Sequence, residues 1–182
     1  MKTSFLSIDE INAIGFNKVG KNVLISRHAS FYNPSEMCIG NNVRIDDFCI
    51  LSGRITIENY VHISAYVALY GNRRIYIKNY SGISAHSVIY TMIDDFSGKF
   101  LIGPMFPEEL TNLIGGPVIL EEFTQIGASS VVLPNLIIKQ GSVVGAMSLV
   151  NKTLDEWGIY AGIPAKRIKE RSKKCMSFVE VL

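Results

Sequence analysis

Large aliphatic residues recur at every sixth position along most of this 182-residue chain. A helix of about 3.6 residues per turn would scatter every sixth residue around its surface, and a half-buried strand would alternate with a period of about two. A period of six instead indicates a short strand, a corner and another short strand. The series shifts by two residues once and is interrupted once. Its members are Ile39, Ile45, Leu51, Ile57, Ile63, Leu69 and Ile75, then Ile77, Ile83 and Ile89, then Leu120, Ile126, Val132, Ile138, Val144 and Val150.

The residues around these aliphatic positions favour sharp corners. Glycine, asparagine and aspartate, which tolerate unusual backbone angles, cluster just after them. Small or medium side chains precede most of these aliphatic residues by two positions, as Val43 and Ser130 do. Three hexads would close one triangular coil, and coils stack at about 4.8 Å along the axis. The pattern therefore predicts an all-β fold, a parallel β-helix with an apolar interior.

Three segments fall outside the repeat of this single predicted domain, residues 1–182. Ser7 followed by Glu10 is a capping-box pattern and predicts a short helix within residues 1–18. The coils are expected over residues 19–150, with a long excursion loop at 90–117 whose apolar side chains would pack on a neighbouring subunit. Residues 151–182 form a tail, in which we expect a helix over 167–181.

Composition and charge reduce the number of functional classes to which the protein can belong. The hydrophobic share of 48% supports a sizeable core, and the net charge of +2 argues against a nucleic-acid partner. No apolar run is long enough to span a membrane, and the first ten residues contain no signal-peptide core. Three cysteines fit neither a disulfide framework nor a zinc spacing, so we expect a cytoplasmic protein without a metal.

A second motif, Ala161-Gly162-Ile163-Pro164-Ala165-Lys166, follows the last hexad. With the repeat, it makes the chain from about residue 19 to 170 resemble the hexapeptide-repeat acyltransferases, whose fold is a left-handed parallel β-helix. The resemblance implies acetyl-CoA as co-substrate, a homotrimer, and active sites between two chains. It also implies that the late hexads and the terminal turn hold coenzyme A, with backbone amides on the pantetheine and cations on the phosphates. The candidate cofactor-binding residues are Ala128, Ala146, Asn151, Lys152, Lys166, Arg167 and Lys169.

The sequence indicates the catalytic base less clearly than it indicates the cofactor-binding residues. Relatives that acetylate sugar hydroxyls carry a Thr-Gly-His pattern at the start of the long loop, whereas this chain has Thr-Met-Ile-Asp-Asp, with Asp94 near the histidine position. His62 and His86 lie on successive coils where the loop leaves the repeat, and imidazole is the readiest base near neutral pH. Asp94, His62 and His86 are therefore the candidate catalytic residues. Tyr66 and Asp95 are candidate substrate contacts.

The expected reaction is direct acetyl transfer from acetyl-CoA to a sugar, with a base assisting the nucleophile. The acceptor is an amino group of a nucleotide-linked deoxy amino sugar or a hydroxyl of a surface-polysaccharide sugar. An amine needs less help from a base, which favours the amino sugar. Two other interpretations remain open: a zinc carbonic anhydrase with His28, His62 and His86 as ligands, and a scaffold without enzymatic activity.

Overall fold

A computed structural model describes residues 4–181; residues 1–3 and 182, at the ends of the predicted domain, lie outside the described part. The chain winds into a parallel β-helix, as the repeat predicts. Strands of successive coils pair in parallel, so that Ile45 lies opposite Ile63 and Ile63 opposite Ile83. The excursion separates two coils along the chain but not in space, because Ile83 then lies opposite Ile126.

The secondary structure consists of short strands, one α-helix and three 3-10 helices among the described residues. The helix is α1 (Ile8–Ile14), and the 3-10 helices are Pro34–Glu36, Glu108–Leu110 and Lys174–Val181. The first ten strands are β1 (Lys18–Val19), β2 (Leu24–Ile25), β3 (Ser30–Tyr32), β4 (Met37–Ile39), β5 (Arg44–Ile45), β6 (Ile50–Ile57), β7 (His62–Ile63), β8 (Ala68–Ile77), β9 (Gly82–Ile83) and β10 (Val88–Tyr90). The others are β11 (Met92–Asp94), β12 (Leu113–Gly115), β13 (Val118–Leu120), β14 (Gln125–Ile126), β15 (Val131–Val132), β16 (Leu136–Ile138), β17 (Val143–Val144), β18 (Leu149–Val150), β19 (Gly158–Ala161) and β20 (Lys166–Glu170).

The predicted aliphatic series forms the core. Each of its members is at most 2% exposed, and neighbouring members stack from coil to coil. The two-residue shift in the series lies in β8: Gly53 pairs with Gly71 but Ile55 pairs with Ile75, so the extra residues are taken up between Gly71 and Ile75. Beside the core, small hydroxyl residues bond the main chain, as Ser87 Oγ does to the Gly127 carbonyl at 2.9 Å.

The corners follow the expectation only in part: Asn22, Asn42 and Asn135 adopt left-handed backbone angles, but residues of other types do so as well. Aromatic residues such as Tyr66, Tyr80 and Phe123 adopt left-handed backbone angles there, with φ of 62°, 60° and 62°. Their rings stack on the equivalent residues of neighbouring coils; Tyr80 and Phe123, for example, have ring centroids 5.0 Å apart. Ring stacking offsets the backbone strain, which amounts to about 1–2 kcal/mol per residue.

The N-terminal helix is confirmed. Ser7 caps α1, its hydroxyl accepting the Glu10 N–H at 3.3 Å while the Glu10 carboxylate accepts the Ser7 N–H at 2.7 Å. These bonds lower the pKa of Glu10. Ile11 turns inward and is buried against the first coil, so the helix covers that end of the core.

The long excursion has a two-stranded base. Strands β11 and β12 pair antiparallel, with Asp94 opposite Leu113, and the Gly116 N–H donates to the Thr91 carbonyl at 3.0 Å. Beyond this base the segment exposes large apolar side chains. Those of Phe96 and Met105 are 73% and 90% exposed.

The tail corrects the prediction of a helix over residues 167–181. Residues Lys166–Glu170 form strand β20, which pairs antiparallel with β19, and only Lys174–Val181 is helical, as a 3-10 helix. Strand β19 itself pairs with β17, so the coils continue past residue 150. The unpaired edge of β19 offers main-chain hydrogen bonds, and these outweigh the helix propensity of the tail.

Arg171 holds this tail against the coils through hydrogen bonds to main-chain carbonyls. Its Nη1 donates to the carbonyls of Phe123 and Gly141 at 2.5 and 2.8 Å, and its guanidinium lies 6.0 Å from the Trp157 ring centroid. We expect Arg171→Ala to cost about 2 kcal/mol of unfolding free energy, because charge-assisted bonds to buried carbonyls are lost. The melting temperature should fall by about 4–8 °C. Arg54→Ala, which removes only an exposed pair with Glu36, is the control. Equal melting temperatures for the two variants would contradict this role.

Candidate active site

A line of small outward-facing residues runs across the coils at one corner. The strand register places these residues one above another, immediately after the buried Ile63, Ile83, Ile126, Val144 and Tyr160. With no large side chain on this line, an extended ligand can approach the main chain. We call it the small-residue track; it consists of Ser64, Ser84, Gly127, Gly145 and Ala161.

Ala128 and Ala146 lie at the next position of the same corner. Ala128 is half-buried and Ala146 exposed, and the Ala128 carbonyl accepts the Met147 N–H at 2.8 Å. The coils approach closely here: a Cβ on Gly127 would lie 2.5 Å from the Ala146 nitrogen. The structure thus brings two of the predicted cofactor contacts to the track.

His86 ends an aromatic ladder at this corner. Its ring lies 4.7 Å from that of Tyr66 at 7°, and Tyr66 in turn stacks on Phe48. The following coil has the small Ser129 at this corner, which leaves the other face of the His86 ring without an aromatic neighbour. Both faces of the predicted substrate contact Tyr66 are covered, so only its edge and hydroxyl can meet a ligand.

His62 belongs to a separate polar network. Its Nε2 lies 2.7 Å from Oδ2 of Asp46, whose other oxygen accepts Arg44 Nε at 2.6 Å. Burial would raise the pKa of Asp46, but the hydrogen bonds from Arg44 and His62 outweigh it and lower the pKa. Within residues 4–181, no group of three histidine, cysteine or acidic side chains could hold a metal ion. His62 is thus engaged with Asp46 rather than with the other two histidines.

Asp94 and Asp95 stand at the base of the excursion and differ in their bonding. Asp94 is half-buried, and its Oδ1 accepts the Gly103 N–H at 3.1 Å. Both oxygens of Asp95 are engaged, accepting the Ser97 N–H at 2.8 Å and Asn112 Nδ2 at 2.9 Å, and these bonds lower its pKa. Asp95 therefore shapes the loop, whereas no hydrogen-bond partner is found for Oδ2 of Asp94 among residues 4–181.

The predicted cofactor residue Asn151 lies at a second corner, beside the base of the excursion. It lines a cavity of about 550 Å³ together with Ile93, the residue before Asp94, and with Leu133 and Pro134. The neighbouring Lys152 is exposed. One face of the β-helix, carrying β10, β15 and β18, separates this corner from the small-residue track.

The three predicted cations stand on β20, at the end of the stack. Lys166 pairs with Ala161 of the small-residue track, and Lys169 with Ile159. Both lysines are exposed. Arg167 is less available, because its Nη2 donates to Glu170 at 2.7 Å and its guanidinium lies 5.8 Å from the Tyr160 ring centroid.

Ser84 is the residue that sequence reasoning missed. Its position directly after Ile83 marks it only as a small corner residue, although it shares a hexad with His86. In the structure it is half-buried on the track, and its hydroxyl oxygen accepts Gln125 Nε2 at 3.1 Å. No acceptor for the Ser84 hydroxyl proton is found among residues 4–181. The hydroxyl can therefore donate a hydrogen bond to a ligand.

No family model matches this chain. A curated relative, the dTDP-4-amino-4,6-dideoxy-D-glucose acyltransferase of Escherichia coli, is 40% identical over 181 residues, which cover 98% of this chain and 94% of that protein. A hexapeptide-repeat acetyltransferase from Vibrio cholerae is 18% identical over 92% of this chain and 83% of its own, with a TM-score of 0.63, and shows the fold alone.

The solved structures include several of AntD, an N-acyltransferase from Bacillus cereus. Its S84C mutant in complex with dTDP-4-amino-4,6-dideoxyglucose and coenzyme A is 48% identical to this chain over 100% of both, with a TM-score of 0.97. Its D94N mutant is 49% identical over 99% of this chain and 100% of its own, with a TM-score of 0.95. AntD with dTDP and 3-hydroxybutyryl-CoA is 50% identical over 99% of this chain and 96% of its own, with a TM-score of 0.97. With the full-length match to a curated acyltransferase and the coil architecture together, the chain belongs to the hexapeptide-repeat acyltransferases, as its sequence predicts.

Proposed function

We propose that this enzyme transfers an acyl group from acyl-CoA to the amino group of dTDP-4-amino-4,6-dideoxyglucose. The observation that supports this proposal most directly is the presence of Ser84 and Asp94 in this chain. AntD, which aligns with this chain over its full length, was solved as mutants at positions 84 and 94, one of them with this nucleotide sugar and coenzyme A. This chain has serine and aspartate at those numbers. The amino sugar is also the acceptor that the sequence favours.

The residues of the candidate active site can support direct transfer of the acyl group from coenzyme A to the acceptor amine. The acceptor nitrogen attacks the thioester carbonyl, forming a C–N bond, and the C–S bond breaks to release the thiolate. Asp94 accepts a proton from the nitrogen, and this proton passes to the departing thiolate. The Ser84 hydroxyl donates to the carbonyl oxygen as negative charge develops there. His86, at the exposed end of its ladder, and the edge of Tyr66 line the approach to Ser84.

The small-residue track suits the pantetheine arm of coenzyme A. Ala128 and Ala146 present main chain that a narrow arm can reach, and Lys166 stands beside Ala161 at the end of this track. Lys169, on the same strand as Lys166, is a second cation that can meet the phosphates. Arg167 would first have to break its hydrogen bond with Glu170. Asn151 and Lys152 lie at the other corner and would serve a ligand held by a neighbouring chain.

A homotrimer is the assembly we infer. Ser84 and Asp94 lie at different corners of one chain, so a threefold arrangement would bring the first corner of one chain to the second corner of the next. The exposed apolar side chains of the excursion, Phe96 and Met105 among them, would be covered by this contact. Sedimentation equilibrium should give three times the chain mass; a fully active monomer would contradict the assembly. The three free thiols suit a reducing cytoplasm.

A substrate panel tests the proposed function. Thiol release would be followed with acetyl-CoA or 3-hydroxybutyryl-CoA, each offered dTDP-4-amino-4,6-dideoxyglucose, its 4-hydroxyl analogue, or no acceptor. We expect turnover only with the amino sugar, and mass spectrometry should find the acyl group on nitrogen. Equal turnover with the hydroxyl analogue would indicate O-acylation, as for surface-polysaccharide sugars. No thiol release with any acceptor, together with no binding of coenzyme A, would favour the interpretation of the protein as a scaffold without enzymatic activity.

A further inference from the structure

Gln125 folds back over the main chain toward Ser84. Its side chain starts from β14, on the outer face of the sheet that also contains β7 and β9. Its Nε2 donates to Ser84 Oγ at 3.1 Å and to the carbonyl of Ile126 at 3.2 Å. This pair of bonds fixes the orientation of the amide, because a carbonyl oxygen can only accept, so the atom facing Ile126 must be the nitrogen.

The orientation of the amide determines the direction of the Ser84 hydroxyl. Since Ser84 Oγ accepts a hydrogen bond from Gln125, its own proton points elsewhere. The Ser84 main-chain N–H is used separately, donating to the Ile126 carbonyl at 2.8 Å. Gln125 therefore holds the serine in the state in which it can donate to a ligand on the small-residue track.

Gly82 makes room for this arrangement. It lies directly opposite Gln125 in the strand register, and a Cβ at this position would lie 2.5 Å from Gln125 Oε1. The backbone of Gly82 is not left-handed, so its conformation does not require glycine. The neighbouring coil has His62 at the same register position. The absence of a side chain at Gly82 is thus explained by the space that the Gln125 amide occupies.

The geometry points to Gln125, seated over Gly82, as a positioning residue that aims the Ser84 hydroxyl at the thioester carbonyl. This inference rests on the proposed function, which gives Ser84 its role. Gln125 does not need to touch either substrate. It acts by keeping the donor in place before the oxyanion forms, which is the condition under which such a donor is effective.

Gln125→Met tests this role, because methionine has a similar length and no donor. We expect kcat for acyl transfer to the amino sugar to fall by about tenfold, less than the roughly 10²–10³-fold cost of removing an oxyanion donor outright. The KM values for both substrates should change by less than about twofold, since no contact to either is removed. Gln140→Met, at a half-buried position on another corner, should leave both constants unchanged.

A double-mutant cycle separates positioning from mere structure. In a Ser84→Ala background, Gln125→Met should have no further effect on kcat, because the hydroxyl it aims is gone. Gly82→Ala should reproduce the loss of kcat by displacing the Gln125 amide, and adding Gln125→Met to it should change nothing more. This second route keeps the test valid if one variant folds poorly, and thermal melting of each variant checks folding.

The outcomes separate this inference from the proposed function. If the wild-type enzyme does not acylate the amino sugar, the proposed function fails first. If the wild type is active but Gln125→Met retains its kcat, the positioning role is wrong. Multiplicative losses for Gln125→Met and Ser84→Ala would also overturn it, because independent contributions show that Gln125 does not act through Ser84.

Discussion

Replacing Asp94 with asparagine should lower kcat by about 10²- to 10⁴-fold, the range for loss of a general base. Asparagine keeps an oxygen that can accept the Gly103 N–H, a bond of 3.1 Å in the native chain. The base of the excursion should therefore keep its shape, so the change removes the proton acceptor alone. The measurement is steady-state kinetics with acetyl-CoA and the amino sugar, from about pH 6 to 9.

The pH series makes this result specific. The defect of Asp94→Asn should narrow as the pH rises, because a growing share of the acceptor amine is then neutral without help. The matched control is Asp9→Asn on the exposed side of α1, which should behave as the native enzyme. An Asp94→Asn variant with native kcat at neutral pH would shift the base assignment to His86.

Replacing Ile63 with alanine should cost about 2–5 kcal/mol of unfolding free energy, because it leaves a cavity in a stack that cannot close. Ile63 is 0% exposed and is paired on both sides, with Ile45 and Ile83. The melting temperature should fall by roughly 4–20 °C for a chain of this size. Differential scanning calorimetry would measure the change.

Two further substitutions calibrate the Ile63 result. Ile63→Val removes one methylene and should cost only about 0.5–1.5 kcal/mol. Ile168→Ala, in a strand residue that is 63% exposed, should cost little, because the side chain is already in water. A loss for Ile63→Ala no greater than that for Ile168→Ala would mean that the stack does not carry the stability.

The coil architecture could be read from the sequence because its determinant is local and repeated. Each buried aliphatic residue, such as Ile45 or Ile126, recurs at a fixed spacing, so one pattern specifies many contacts at once. The corners were less predictable. Tyr66 and His86 adopt a backbone conformation that is unfavourable for single aromatic residues, and only stacking with rings eighteen to twenty residues away makes it acceptable.

Strand β20 shows why the prediction of a helix over residues 167–181 is wrong. A charged segment such as Lys-Arg-Ile-Lys-Glu has no strong preference of its own, and the local pattern suggested a helix. Its conformation is decided by the edge of β19, which is defined only once the preceding coils are stacked. Tertiary hydrogen bonding of this kind leaves no local trace in the sequence.

The candidate site was predictable only in part for the same reason. Asp94, Ala128 and Ala146 could be proposed from motifs that follow the chain. Ser84 and Gln125 lie forty-one residues apart in sequence, and their hydrogen bond exists because the excursion returns the chain to the next coil. Nothing near Ser84 in the sequence marks its hydroxyl as different from that of Ser64.

The antiparallel course of β20 also limits what the molecule can join. A stack of parallel coils can in principle be continued by the first coil of another molecule, as in fibrils whose strands add one upon another. Strand β20 reverses direction at this edge and carries Lys166, Arg167, Lys169 and Glu170, and α1 occupies the opposite end. Both ends of the stack are therefore covered, which disfavours the addition of a coil from another molecule along the axis.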